Sequence, residues 1–203
     1  MQRTTTVSLG LFAAWACHDL EELFTMRETS RVVAARMPDW VPIPDDVRQD
    51  GLSQQHVNLG ISLMGTYLAG VSAVGVRSQG RSRLFRGALL AFGLHGFGHI
   101  GVTAALRQYT TGVATSPTIV IPHWLWAHRA LAREGLSDRD GTARWAAATL
   151  LLLPVVHVAT RLLVNALEAA GLAKWAMSEN VEVMRRVYAD WERGQMGSQR
   201  RPV

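Results

Sequence analysis

Three ionisable side chains lie close together in an apolar stretch near the start of the chain, WACHDLEELF. On a helix with about 100° per residue, Glu21 lies about 60° to one side of His18 and Glu22 about 40° to the other. One arc of the helix therefore presents an imidazole and two carboxylates, whereas Asp19 is predicted to point elsewhere, toward the membrane interface. Such an arc is suited to metal binding or to general acid–base catalysis.

A second pattern, LHGFGHI, sets His95 and His99 four residues apart. This spacing places both imidazoles on one helix face, where they can bind a single metal ion. We expect Gly96 and Gly98, which lie between them, to allow close approach of another helix or of a substrate.

Most of the other histidines also fall in or at the start of apolar stretches. Ionisable residues at membrane depth are costly and mark a functional interior or a mutual pairing. His157, which follows Pro154, is interpreted as a hydrogen-bonded core histidine. His56 and His123 are alternatives for completing a site with the two patterns above. The predicted metal ligands are therefore His18, Glu21, Glu22, His56, His95, His99 and His123.

Three classes of function agree with these residues. The first is a membrane-embedded metalloenzyme acting on a lipid-soluble or apolar small molecule, because mixed imidazole and carboxylate ligands suit iron, and also zinc or manganese. With two iron ions, Glu21 or Glu22 would bridge them in an oxidative centre, whereas a single zinc ion would activate water. The second is metal-free acid–base catalysis by Glu21 or Glu22, as in a cyclase or isomerase. The third is a non-catalytic transporter or structural membrane subunit.

The elements that must position these residues are apolar helices. The 203-residue chain is 48% hydrophobic and 18% charged, and it has no charge from Val57 to Val76 or from Gly87 to Leu106. A helix needs about 20 apolar residues to cross a bilayer. We therefore predict an all-α integral membrane bundle over residues 1–167, then an amphipathic helix over 168–193 and a disordered tail over 194–203. The predicted spans are roughly 6–24, 56–76, 87–106, 117–132 and 145–167.

The placement of arginine predicts a topology. The segments 77–86 and 129–144 each carry four arginines, whereas the loop 109–116 carries none. By the positive-inside rule, the two basic segments are cytoplasmic and the loop is external, as in a multi-pass protein of a bacterial inner membrane. The formal charge of +5 is not clustered with aromatic residues, so nucleic acid is not an expected partner. The expected partners are the lipid bilayer and an apolar substrate.

The segment HDLEE at residues 18–22 resembles the signature of the HXXEE proteins, small bacterial proteins predicted to lie in membranes. Their further pattern is an Asn or His four residues before a His, followed by a loop of the type Tyr-x-Pro-Gly-x-x-Thr. Here the corresponding residues are His95, His99 and the loop YTTGVAT at 109–115. The resemblance extends over about residues 7 to 130 and implies a metal centre, without an activity that can be carried over.

This sequence departs from the family pattern at two positions. His95 stands where Asn is usual, and the additional imidazole is expected to strengthen a metal site. Thr111 stands where Pro is usual, and the loss of proline is expected to loosen the turn.

The first prediction concerns membrane integration. After expression, the protein should stay in the membrane pellet during alkaline carbonate extraction, because two charge-free 20-residue helices cannot be solvated cheaply by water. Recovery of the protein in the soluble fraction without detergent would contradict the membrane assignment.

Overall fold

The computed structural model describes residues 3–136 and 141–172, and every regular element within them is helical. The predicted all-α fold is therefore confirmed over this part of the chain. Nearly all of the predicted amphipathic helix (168–193) and the whole of the predicted tail (194–203) lie outside the described residues. The elements in order are α1 (Arg3–Arg36), α2 (Asp45–Asp50), α3 (Gln54–Arg77), α4 (Arg83–Leu106), a π-helical turn (Ser116–Val120), α5 (Ile121–Arg133) and α6 (Thr142–Ala169).

Within the described residues, three helices, and not the five predicted, are long and apolar enough to cross a membrane: α3, α4 and α6. The predicted span 6–24 lies inside α1, whose ionisable residues lower its mean hydropathy. The predicted span 117–132 is divided between the π-helical turn and α5, and α5 has 13 residues. At 1.5 Å per residue, α5 is about 20 Å long, less than the roughly 30 Å of a bilayer core. The expectation of five such helices is wrong for these two segments.

The buried residues of α1 follow one stripe along the helix. They recur every three or four positions, which is the spacing of a single helix face. The apolar part of the stripe, including Val7 and Leu11, packs with Phe85 in the core. His18 and Glu22 continue the same stripe and are therefore also turned toward the bundle interior.

Helices α1 and α4 begin at the same end of the bundle. Arg3 lies 3.5 Å from Glu134 at the end of α5, and the turn around Gly80 contacts Thr4 and Leu131. At the other end, Arg36 donates a hydrogen bond to the carbonyl of Leu106. With a rise of 1.5 Å per residue, His18 and His95 each lie roughly 20 Å along their helices from the first end. The segment HDLEE and the His95–His99 pair therefore lie at about the same distance from this end of the bundle.

The short helix α2 is held against α6 by an ion pair. Arg161 makes two 3.0 Å hydrogen bonds to the carboxylate of Asp46. These bonds hold the pKa of Asp46 below its usual value. The pair holds the loop that carries α2 beside α6.

Glycines allow several close helix contacts. A Cβ at Gly96 would lie 2.8 Å from Cγ1 of Val120, so the expectation of close approach at Gly96 is confirmed. No described helix makes such an approach at Gly98, because no heavy atom of the described residues lies within 4 Å of a Cβ there, and the approach of a substrate stays a prediction. Gly75 lies against the ring of Phe85 and the hydroxyl of Ser8, both of which are buried.

The second prediction compares two glycines of α3. A Cβ at position 75 would lie 2.6 Å from the Phe85 ring, so Gly75→Ala should overpack the core and destabilise the protein by about 1–3 kcal/mol. The matched control is Gly70→Ala on the same helix, where no described atom lies within 4 Å. In thermal unfolding of detergent-purified protein, the Tm should fall for Gly75→Ala and stay level or rise for Gly70→Ala. Equal Tm values for the two variants would contradict the packing described here.

Candidate metal centre

Four side chains from α1 and α4 converge on one point. His18, Glu22, His95 and His99 each offer one ligand atom, and these atoms all lie within 4.8 Å of one another. Nε2 of His99 is 3.2 Å from Oε1 of Glu22 and 2.8 Å from Nε2 of His95. Nε2 of His18 is 3.9 Å from the same Glu22 oxygen. The structure thus brings together one residue pair from each of the two sequence patterns.

These separations fit the ligands of a single metal ion. In a tetrahedral site with bonds of 2.0–2.1 Å, neighbouring ligand atoms are about 3.3 Å apart. The three measured separations of 2.8, 3.2 and 3.9 Å lie on both sides of this value. A bound ion would need only small side-chain adjustments to reach tetrahedral spacing.

Two of the four ligand atoms are buried without a hydrogen-bond partner among the described residues. They are Nε2 of His18 and Oε1 of Glu22. His18 is fully buried and Glu22 is 5% exposed. A buried carboxylate oxygen or imidazole nitrogen without a partner is costly, and a metal cation would satisfy both at once.

The other nitrogen of His18 is held by Thr115. Nδ1 of His18 lies 2.7 Å from the hydroxyl oxygen of Thr115, and that hydroxyl donates to Oε2 of Glu21 at 2.5 Å. A threonine hydroxyl has one proton, so it must accept from His18, and the His18 proton is on Nδ1. This leaves the lone pair on Nε2, which faces Glu22 and His99. Metal-binding histidines are commonly fixed in this way through the nitrogen that does not bind the ion.

Glu21 is turned away from this cluster, toward the loop Tyr109–Thr115, which we call the clamp loop. Its carboxylate accepts four hydrogen bonds from that loop: from the Tyr109 hydroxyl, the Ala114 amide, and the amide and hydroxyl of Thr115. Partial burial and the hydrogen bond to Glu21 raise the pKa of Tyr109 above its usual value. Both oxygens of Glu21 are occupied, so its place in the site is that of an anchor for the loop.

The clamp loop is also attached to the next turns of α1. The hydroxyls of Thr25 and Thr111 are 2.8 Å apart, and the amide of Thr111 donates to the hydroxyl of Thr29 at 3.3 Å. We expected the absence of proline at position 111 to loosen this turn. A proline would lack both of these donors, and the threonine instead ties the loop to α1.

Gly112 allows the clamp loop to approach the cluster. Its φ of +76° lies in the left-handed region, and a Cβ there would lie 2.7 Å from the His99 ring and 2.8 Å from the His18 ring. Any larger residue would therefore displace two members of the cluster. Tyr109, Gly112 and Thr115 are the loop residues that the sequence pattern marked, although the pattern alone did not show that they hold Glu21 and His18.

An apolar cavity of about 260 Å³, partly open to its surroundings, lies beside the cluster and is lined by residues of α1, α3, α4 and α6. Glu22, His95 and His99 form part of its wall. Asp19 also lines it and is 7% exposed, so the expectation that Asp19 points toward an interface is wrong. The reason is that Asp19 lies about 60° around the helix from Glu22, at the edge of the buried stripe.

The structure places the two remaining candidate ligands away from the cluster. His56 lies on the same cavity but pairs with His157 at 3.0 Å. His123 lies on α5 with its ring against Gly10 and Trp126. Neither belongs to the group of four converging ligand atoms.

Comparison with known proteins identifies the family of this chain. Neither the curated proteins nor the solved structures that were compared include a significant match. A family model described as "Protein of unknown function with HXXEE motif" matches residues 9–127, which is more than half of the chain. The match spans HDLEE, the His95–His99 pair and the clamp loop, so this chain belongs to the HXXEE-motif family of proteins of unknown function.

Proposed function

We propose that this protein is a membrane-embedded, metal-dependent enzyme that acts on an apolar small molecule. The observation that supports the proposal is the convergence of three imidazoles and one carboxylate within 4.8 Å, at the wall of an apolar cavity. A largely apolar pocket with a few convergent polar groups is the usual form of a small-molecule site.

The ligand set suits one transition-metal ion. Three imidazoles with one carboxylate bind iron, zinc and manganese, and we propose iron as the ion, with zinc and manganese as alternatives. A bound ion would supply Lewis acidity or, in the case of iron, redox chemistry. Within this scheme His18, Glu22, His95 and His99 hold the ion, Thr115 and Glu21 orient His18, and the apolar cavity holds the substrate beside them.

A single ion agrees with the described residues better than a pair does. The four ligand atoms form one compact group. A bridged pair of ions, 3.5–4 Å apart, needs a bridging carboxylate and further ligands on the second ion. Glu21, one of the two expected bridging residues, is instead committed to the clamp loop by four hydrogen bonds.

The membrane part of the proposal is supported by the outer surface as well as by the three apolar helices. On α6, Leu151, Val155 and Leu162 are more than half exposed. On α1, Leu20 and Phe24 are also more than half exposed, whereas His18 and Glu22 are buried. This is the distribution expected for helices with lipid outside and a polar site inside. We therefore propose that α1 lies in the bilayer beside the three candidate spans, in a bacterial inner membrane.

A second candidate function is metal-free acid–base catalysis. The observation that favours it is that Asp19 and Glu22, one helical turn apart, are both buried and both line the cavity. Two carboxyl groups facing an apolar substrate can exchange protons with it, as a cyclase or isomerase requires. The metal content of the purified protein separates this candidate from the metalloenzyme.

The third prediction is that the detergent-purified protein, prepared without chelator, contains about one transition-metal ion per chain. His99→Ala and Glu22→Ala should each remove most of it, because losing even an outer hydrogen-bond partner of a ligand weakens metal affinity about 10–100-fold. The measurement is elemental analysis of each variant alongside its thermal unfolding. His128→Ala, a histidine on α5 outside the cluster, should retain the metal.

Different results would support other functions. A parent protein that lacks metal and does not take up added iron or zinc would end the metalloenzyme proposal. If the cluster is only a structural hydrogen-bond network, the same variants should lower the Tm in a parent that contains no metal. If the cluster serves acid–base catalysis alone, Glu22→Gln should abolish turnover without changing the Tm, in a parent whose activity does not depend on metal.

The fourth prediction tests the orientation of His18. Thr115→Val keeps the shape of the side chain but removes the hydroxyl that links Glu21 to Nδ1 of His18. Metal affinity should fall about 10–100-fold, as measured by competition with a chelator of known affinity. The matched control is Thr118→Val, because the exposed Thr118 hydroxyl bonds only to the carbonyl of Ala114 in its own turn. Equal metal affinity in the two variants would show that Thr115 does not position the ligand.

A further inference from the structure

A second polar group lies on the same cavity as the proposed metal ligands. Nε2 of His56, in the first turn of α3, is 3.0 Å from Nδ1 of His157 on α6. The rings are stacked, with centroids 5.3 Å apart and an angle of 19° between their planes. His56 is 8% exposed. The metal centre does not use either side chain.

The two histidines of the pair differ in exposure: His56 is buried, whereas His157 is exposed. Both rings line the cavity, as do Glu22, His95 and His99 of the cluster. Much of the remaining wall is apolar and comes from α3, α4 and α6, including Val57, Ile61, Met64, Leu68, Phe92 and Leu153. A molecule in this cavity therefore meets polar atoms at the metal ligands and at the histidine pair, with an apolar wall around it.

The hydrogen-bonding capacity of the pair favours a polar group that can both donate and accept a hydrogen bond. A neutral imidazole has one donor and one acceptor nitrogen. The bond between the two rings uses one donor and one acceptor, so Nδ1 of His56 and Nε2 of His157 together retain one of each. The tautomers of the two rings decide which of these two nitrogens is the donor and which is the acceptor. A hydroxyl group both donates and accepts, so it can bond to the pair in either arrangement.

The volume of the cavity limits the size of its ligand. A dry apolar cavity of about 150 Å³ holds benzene, so by proportion a cavity of about 260 Å³ holds roughly ten carbon atoms. This is the size of two fused six-membered rings or of a short branched chain.

We propose that the cavity binds an apolar alcohol or phenol of about ten carbon atoms, with its hydroxyl group on the His56–His157 pair. The carbon skeleton then lies along the apolar wall toward Glu22, His95 and His99. This inference rests on the proposed function, because it takes the ligand of the cavity to be the substrate of the metal centre.

The test uses 2-naphthol and naphthalene, which share a ten-carbon skeleton and differ by one hydroxyl group. Binding of each to the purified full-length protein is measured by equilibrium dialysis, with the same detergent without protein as the blank. The wild-type protein should bind 2-naphthol about fivefold more tightly, the ratio expected for one net hydrogen bond. In His56→Phe and His157→Phe, which keep a ring in place, this ratio should fall to about one. In the control His128→Phe it should stay at about five.

The outcomes separate this inference from the metal proposal, because metal content is measured on the same samples. A wild-type ratio of one, or a ratio of five that persists in both histidine variants, overturns the inference even if metal is bound. A ratio that depends on His56 and His157 in a protein without metal supports the hydroxyl site and contradicts the metal centre. If a phenylalanine variant fails to fold, His56→Leu or His157→Leu takes its place, because leucine also cannot hydrogen-bond to a hydroxyl group. A wild-type ratio of one is decisive without any variant.

Discussion

A carboxylate buried in an apolar helical bundle needs a positive partner, and the Glu22 side chain sets this requirement for the whole molecule. Its Oε1 is buried and lies 3.2 Å from the imidazole of His99 and 3.9 Å from that of His18. Desolvation of an unpaired carboxylate costs more than most single packing contacts can offset. The positions of α1 and α4 at equal height bring His99 and His18 within 4 Å of this oxygen, but no described residue gives it a hydrogen bond, so a cation bound between them would satisfy it.

The two adjacent glutamates of the family motif have separate roles that arise from their positions around the helix. They are about 100° apart, so they face different surroundings. Glu22 lies on the stripe and faces α4. Glu21 lies at its flank, where four donors of the clamp loop bond to its carboxylate. Through Thr115, the flanking glutamate also controls which nitrogen of His18 faces the cluster, so an anchoring contact has a chemical consequence.

The cavity extends from this cluster of metal ligands to the His56–His157 pair. Its wall combines the cluster on α1 and α4 with the His56–His157 pair on α3 and α6. Large apolar side chains lie on the outer surface, whereas His18, Glu22 and His56 are buried. A site of this form favours a ligand that partitions into lipid but carries one polar group, because apolar contacts supply most of the binding and a hydrogen bond fixes the orientation.

The sequence by itself determined the helices and the core of the cluster, because both depend on local periodicity. Charge-free stretches predicted α3 and α4, and i, i+4 spacing predicted that His18 and Glu22, like His95 and His99, share a face. Helix periodicity cannot show which neighbour a flanking residue meets, so the places of Asp19 and Glu21 were decided by the tertiary structure. The partners of Glu21 lie about 90 residues away, and the partner of His56 lies 101 residues away. Contacts at such separation depend on how the helices pack, which a local pattern does not contain.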